Sequence, residues 1–269
     1  MILIFSEALK WLLDYMPLLT NVLLTAIIFI LLAHTLKRHP RICYTLFGLP
    51  LALSVVQFVM GLVGIKAFSL FDVPVVGLVL GANAHMINFG FPLLIVIMYI
   101  GALDARRPWV RRLLVVRKEM SIISGFPVLA HALVRVTYTF PKALGYFTDH
   151  SAYLEENDWV RCDVGVGLSN AGYVLGVLML VLFLMLWVTS FDAVHRKMGG
   201  YRWKRVQRWA YVLYAMLFIH SVFLHVGWLL NGDPADHESV IKSCISIAST
   251  GLIFLSYLML RLRKAGISK

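Results

Sequence analysis

Four ionisable side chains interrupt long apolar stretches of this sequence: His85, His131, Arg135 and His220. Such groups are costly inside a membrane helix and usually face a bundle interior, a cavity or a cofactor. Two imidazoles on opposite sides can ligate a six-coordinate haem iron, which suits electron transfer because no iron position stays open. The first question is therefore whether two of these histidines can meet.

His131 and His220 are expected at the same membrane depth. His131 lies about 12 residues, or roughly 18 Å, from the start of its predicted helix. His220 lies about 11 residues, or roughly 16 Å, beyond Trp209, an aromatic side chain expected at the membrane interface. Both helices are predicted to run outward, so the two rings would share one level. Zinc would need further ligands at this depth, and the sequence offers none.

Helical periodicity places further groups beside these histidines. Arg135 lies one turn beyond His131 on the same face, where its guanidinium could pair with a haem propionate. Ser124 and Tyr138 share that stripe. Gly227 shares a stripe with the second histidine and could leave room for a porphyrin edge. These residues are the predicted haem pocket.

Plainer explanations stay open at this point. A single membrane histidine can form a hydrogen bond between helices, and Arg135 can extend towards the outer interface. His225 follows His220 by five residues, so it faces about 140° away and is predicted to be interfacial. His85 and Asn88 share a helix face and could line an external acceptor site, or could be ordinary interfacial polar residues.

The elements that position these residues are membrane helices. Of the 269 residues 60% are hydrophobic and 14% are charged, with a mean hydropathy of +0.80. Apolar runs of about 20 residues recur, and each can cross a hydrocarbon core of about 30 Å. We therefore expect an all-α integral membrane bundle without a large soluble domain. The seven predicted spans are 17–36, 42–64, 80–102, 119–140, 167–190, 207–230 and 239–260.

The net charge of +11 is concentrated in alternate gaps between these spans. This alternation predicts a cytoplasmic side for the basic gaps, an external N-terminus and a cytoplasmic C-terminus. It indicates contacts with anionic lipid rather than nucleic acid. The first residues are amphipathic, and no cleavable signal is expected. Cys162 and Cys244 fall on one predicted side, which leaves a disulfide between them open.

The stretch "TSFDAVHRKMGGYRWKRVQRWAYVLYAMLFIHSVF" resembles the ferric reductase-like transmembrane domain family, especially bacterial haem-binding membrane subunits of the methionine sulfoxide reductase system. The upstream "VRKEMSIISGFPVLAHALV" resembles the family's other haem helix, with His131 in the ligand position. The resemblance extends over about residues 105–262 of a domain predicted at 42–269, with 1–41 as an additional helix region. The matching residues of the first stretch are Trp203, Lys204, Arg205, Arg208, Tyr211 and His220.

The resemblance implies an oxidoreductase, or the membrane subunit of one, in a bacterial cytoplasmic membrane. NADPH oxidases of this family carry two haems, and six-helix metalloreductases carry one. His131 and His220 correspond to ligands of the outer haem. Gln207 stands where many members have an inner-haem histidine, and Arg117 stands at the matching position of the other helix. The sequence therefore predicts a single haem b.

A single outer haem leaves the cytoplasmic leaflet without a redox centre, because Gln207 lies roughly 20 Å along the axis from His220. FMN, FAD or a quinone is predicted to fill this gap, with Gln207 hydrogen-bonded to its ring. The sequence has no GxGxxG nucleotide fingerprint, so a flavin reductase or a reduced quinone is expected as donor. The basic residues predicted on this side, which could equally be only topology signals, are Arg111, Arg112, Lys204, Arg205 and Arg208.

The predicted function is transmembrane electron transfer to an external acceptor, such as ferric iron or a periplasmic redox protein. An acidic outer loop, 149–163, could concentrate cations or could merely balance the basic inner loops. One alternative is a transporter or channel-like bundle with structural histidines. The sequence shows no internal repeat and no membrane-embedded acidic residue, and both absences count against this alternative. A retinal protein or receptor is a further alternative, although Lys242 lies near the outer end of the last helix.

Overall fold

The computed structural model describes residues 16–63 and 86–267, and every regular element in these ranges is helical. Two π-helical turns, Met86–Gly90 and Arg135–Thr139, lead directly into helices. The helices are α1 (Pro17–Arg38), α2 (Pro40–Leu62), α3 (Phe91–Ile100), α4 (Pro108–Val115), α5 (Arg117–Val134), α6 (Phe140–Thr148), α7 (His150–Glu156), α8 (Asp163–Val188), α9 (Asp192–Met198), α10 (Gly200–Gln207), α11 (Ala210–Asn231) and α12 (His237–Ile267).

The all-α membrane bundle predicted from the sequence is confirmed. In the described part of the chain, six helical segments are long and apolar enough to cross a membrane, and Met86–Ile100 is a shorter apolar one. The start of the predicted third span, 80–85, lies outside the described residues. The six segments are Pro17–Arg38, Pro40–Leu62, Arg117–Thr148, Asp163–Val188, Gly200–Asn231 and His237–Lys264.

The basic connections meet at one end of the bundle, here called the basic end. Lys118 Nζ lies 3.0 Å from Asp192 Oδ2 and so joins α5 to α9. Lys264 Nζ donates to the Gly101 carbonyl 3.0 Å away, which places the end of α12 beside the end of α3. The hydrogen bond and charge of Lys118 lower the pKa of Asp192, so this carboxylate stays ionised at neutral pH.

The opposite, acidic end joins the start of α8 to the end of α11. Asn231 Oδ1 accepts hydrogen bonds from the backbone N–H groups of Arg161 and Cys162, at 2.8 and 2.9 Å. The Arg161 guanidinium lies 3.2 Å from Asp233. Cys162 and Cys244 are free thiols, so the disulfide that the sequence left open is absent.

The helix at 17–36 was predicted to be additional to the core. In the structure one face of α1 packs against the bundle, and the other is exposed, as at Leu23 and Leu31. Phe29 and Leu36 of α1 are fully buried in a cluster that includes Leu93 of α3. The ring of Phe29 also stacks 5.9 Å from Phe47 of α2. This packing holds the N-terminal end of α1 beside the π turn that precedes α3.

Helices α8 and α11 cross at very short range because glycines face each other. A Cβ added at Gly227 of α11 would lie 2.6 Å from the Gly165 carbonyl oxygen and 2.2 Å from Ser169 Oγ. Small residues at such a crossing allow two membrane helices to approach closely. The crossing fixes the orientation of α11, and therefore the direction in which His220 points.

Candidate haem site

A cavity of about 270 Å³, the central cavity, lies between α1, α3, α5, α8, α11 and α12. Its wall contains His131 from α5, Arg135 from the second π turn and His220 from α11. Most of the remaining lining is apolar, including Leu94, Phe183 and Leu217. The structure therefore brings together the two histidines and the arginine that the sequence singled out.

The ring of His220 is oriented by helix α8. Its Nδ1 lies 2.8 Å from the carbonyl oxygen of Gly172. A carbonyl can only accept, so this bond assigns the proton to Nδ1 and leaves the Nε2 lone pair free for a metal. Gly176, one turn further along α8, has no side chain to obstruct the ring, and a Cβ there would lie 3.3 Å from His220 Cε1.

His131 carries a buried nitrogen without a protein partner. Its Nδ1 atom has no hydrogen-bond acceptor or donor among the described residues. Buried polar side-chain atoms are nearly always bonded, so an orphan of this kind needs a functional or structural explanation. A group bound in the cavity that contacts this nitrogen directly would supply one.

Arg135 contributes a cation to the same wall. Its Nη1 donates to Thr139 Oγ1 at 3.2 Å, and its guanidinium carbon lies 5.9 Å from the centre of the Tyr173 ring. Tyr173 also lines the central cavity. Among the described residues no carboxylate forms an ion pair with Arg135, so its charge remains available to an anionic group of a ligand.

This set of residues fits a haem. The two imidazoles could ligate its iron, the apolar side chains would suit a porphyrin face, and the arginine would suit a propionate. Within residues 16–63 and 86–267, no group of three His, Cys, Asp or Glu side chains could hold a bare metal ion. The two histidine nitrogens would therefore suit an iron whose remaining ligands come from a cofactor.

Three residues predicted for the haem pocket lie away from the central cavity. Gly227 faces α8 at the helix crossing rather than the cavity. Ser124 is buried and donates to the Ser121 carbonyl 2.8 Å away. Tyr138 is 59% exposed in the second π turn, towards the bundle surface. These placements reassign the three residues to helix packing and to the lipid-facing surface.

Gln207 connects helices at the basic end. Its amide nitrogen donates to Thr189 Oγ1 at 2.8 Å and to the Leu186 carbonyl at 3.4 Å, so α10 is tied to the end of α8. The predicted basic partners are exposed, and Arg205 also donates to the Tyr201 hydroxyl. These exposed residues are Arg111, Arg112, Lys204, Arg205 and Arg208.

Only one member of the predicted external acceptor pair, Asn88, lies among the described residues. His85 lies outside the described residues. Asn88, in the first π turn, accepts a hydrogen bond from the Asn21 amide 3.2 Å away and so serves the contact with α1. The pair therefore remains a prediction from the sequence.

The positions of two ionisable side chains differ from those expected from the sequence. His225 was predicted to be interfacial, yet it lines the central cavity together with His220. Glu119 was not recognised as an acidic side chain inside the bundle, yet it is 3% exposed at the basic end. Its Oε1 lies 3.7 Å from Lys118, and its Oε2 has no hydrogen-bond partner in the described chain.

Taken together, the fold and the site define an α-helical, multi-pass membrane protein with a paired-histidine cavity. The family described as "Ferric reductase like transmembrane component" matches residues 86–218. This segment therefore belongs to the ferric reductase-like transmembrane family, as predicted. The match includes His131 and Arg135 and ends two residues before His220, which the fold brings to the same cavity.

A protein of Treponema pallidum (strain Nichols), described only as uncharacterized, is 39% identical to this chain over 103 residues. The similarity covers 38% of this chain and 26% of the relative, so the chain matches about a quarter of the length of that protein. No solved structure matches the chain. Cofactor, donor and acceptor must therefore be argued from the site itself.

Proposed function

We propose that this chain binds one haem b through His131 and His220 and transfers electrons across the membrane. The observation that carries this proposal is that both histidines face one cavity, with the Nε2 atom of His220 left free by the Gly172 carbonyl. Haem iron held by two imidazoles supplies one-electron redox chemistry without an open site for oxygen. The chain would then act as an oxidoreductase or as its membrane subunit.

The donor is proposed to reach the basic end, which the positive-inside rule favours as the cytoplasmic side. We propose a bacterial inner membrane as the location, in line with the family resemblance. A flavin (FMN or FAD) or a quinone there, reduced directly or by a flavin reductase, would cover the distance to the haem. Both hydrogen bonds that Gln207 makes in the described chain use its amide nitrogen. Its carbonyl oxygen can therefore accept a bond from a flavin N–H or a reduced quinone hydroxyl. Arg208, Lys204, Arg205 and Arg112 would attract an anionic carrier.

A vesicle experiment tests the direction and existence of this transfer. Protein is reconstituted with hexaammineruthenium(III) trapped inside, and reduced FMN is added outside. Trapped acceptor should be reduced in vesicles in which the basic end faces outward, and His131→Ala should reduce the rate to that of empty liposomes. Equal rates with and without protein would overturn the proposed electron transfer.

Replacement of Arg135 should change the redox potential of the haem. Its cation in the cavity wall favours the reduced, less positive iron, so Arg135→Gln should lower the midpoint potential. A loss on the order of 1–2 kcal/mol of electrostatic stabilisation corresponds to roughly 50–90 mV for a one-electron couple. Arg135→Lys keeps the charge and should retain most of the potential. An unchanged potential in Arg135→Gln would show that the guanidinium points away from the cofactor.

One structural observation favours the alternative of a transporter or channel-like bundle. The unpartnered Oε2 of Glu119 is the kind of buried acidic atom that proton pathways use. A folded, purified protein without any haem absorption would favour that alternative, with His131 and His220 as structural residues. Haem in the preparation would count against that alternative, and Glu119 would then be a buried residue that packs at the basic end.

A further inference from the structure

A second cavity adjoins the central one at the acidic end. This outer cleft, of about 530 Å³, lies between α11 and α12 and is open to the outside of the bundle. Three residues line both spaces: His225, Trp228 and Ser246. The two cavities thus share these three side chains as a common wall.

The shared wall has a defined geometry. The rings of His225 and Trp228 pack edge to face, with centroids 5.5 Å apart and an interplanar angle of 89°. Ser246 approaches from α12 and contributes a small hydroxyl side chain to the same wall. A ligand in the outer cleft would touch the same side chains that border the central cavity.

The floor and mouth of the outer cleft are hydrophilic. Ser239, Ser243 and Ser246 lie on one face of α12, since their spacings of four and three residues repeat the helical turn. Glu238 and Lys242 form an ion pair of 2.6 Å at the mouth, and Asp236 caps the first turn through Ser239 N–H. Trp228 is the one large hydrophobic side chain among the lining residues of the described chain. Such a lining suits a hydrated ligand better than it suits a lipid tail.

We propose that the outer cleft is the port where a small, hydrophilic one-electron acceptor, preferably cationic, docks beside the haem; this rests on the proposed function. Size favours a small molecule or metal chelate, because a folded redox protein cannot enter a space of about 530 Å³. Charge favours a cation, because Asp236 and Glu238 outnumber Lys242 at the mouth. One electron passes from ferrous iron to the acceptor, iron becomes ferric, and no bond is made or broken.

Filling the outer cleft tests the port. The purified protein is reduced with dithionite, and its oxidation by hexaammineruthenium(III) is followed by stopped-flow absorbance. Ser243→Trp should slow oxidation at least tenfold while the haem spectrum and content stay those of the wild type. Ile241→Trp is the matched control, because Ile241 is 50% exposed and does not line the cleft. Wild-type rates in Ser243→Trp would overturn the proposal while leaving haem binding intact.

Charge selectivity gives a second, independent readout. The rate of oxidation is compared at low salt after correction for the driving force of each oxidant. The corrected rate should be lower for anionic ferricyanide than for the ruthenium cation. The double variant Asp236→Asn, Glu238→Gln should reduce this preference severalfold. A preference that survives in the double variant would place acceptor docking elsewhere.

Thiol labelling tests the accessibility of the cleft without electron transfer. In a Cys244→Ser background, Ser243→Cys should react quickly with a sulfonated maleimide, because its side chain faces hydrated space. Ile241→Cys, in the detergent belt on the opposite helix face, should react at least tenfold more slowly. Equal labelling of both positions would contradict a hydrophilic port. A protein that labels as expected but contains no haem would instead refute the proposed function.

Discussion

His131→Ala and His220→Ala are each expected to abolish low-spin haem b in the purified protein. An alanine removes one axial nitrogen, and the described structure offers only one other histidine, His225, in the cavity wall. Because the proposed site holds the iron through two imidazoles, loss of either should leave weakly bound, high-spin haem or none. The measurement is the absorbance of the Soret and α bands per polypeptide.

His225→Ala is the matched control for these two variants. It removes the same ring from the same cavity, yet His225 is proposed to form the wall towards the outer cleft and not to ligate iron. It should retain a full complement of low-spin haem. Full low-spin haem in His131→Ala or His220→Ala, or its loss in His225→Ala, would refute the proposed ligand pair.

Gly227→Ala is expected to destabilise the bundle and to lower haem occupancy. The added methyl group would meet the Gly165 carbonyl and Ser169, and backbone atoms at 2.6 Å cannot yield without separation of α8 and α11. Overpacking of this kind typically costs about 1–3 kcal/mol. The same separation would pull His220 from the Gly172 carbonyl that orients its ring.

Thermal unfolding in detergent, with haem content measured alongside, checks this expectation. Gly251→Ala on α12 is the control, since nothing lies within 4 Å of a Cβ at that position. It should be neutral or slightly stabilising, because alanine favours helix more than glycine does. If Gly227→Ala unfolds at the wild-type temperature, the close crossing of α8 and α11 does not determine the site.

The sequence predicted the helices and the central site because both depend on local periodicity. Apolar length defines membrane spans, and depth along two helices placed His131 and His220 at one level. Arg135 followed from its spacing of four residues. The family match to residues 86–218 agrees with the resemblance seen in the two haem-helix stretches.

The errors came from the width of the cavity and from partners on distant helices. Residues of α11 that line the central cavity span an arc of about 140°, with His220 and His225 at its two edges. Gly227 falls about 20° beyond the His220 edge and therefore meets α8. The angle assigned to His225 was sound, but one sequence cannot show how far a cavity extends around a helix.

A backbone irregularity, depth in the bundle and a tertiary contact explain why Tyr138, Ser124 and Gln207 lie where the sequence did not place them. The π turn at Arg135–Thr139 changes the helical register after His131, so Tyr138 turns outward. Ser124 does share the face of His131, but it lies about 10 Å nearer the basic end, below the cavity. Gln207 was singled out correctly as unusual, although its contact with Thr189 required the tertiary fold.

The number of haem groups per polypeptide tests the central proposal most directly. Protein purified from haem-replete cells is assayed for haem b by pyridine haemochrome and for polypeptide by amino-acid analysis. With His131 and His220 as the ligand pair and Gln207 in place of an inner ligand, the ratio should be close to one, with a low-spin reduced-minus-oxidised spectrum. A ratio near two would show a second ligand pair at the basic end, and a ratio near zero would show that the central cavity does not hold haem.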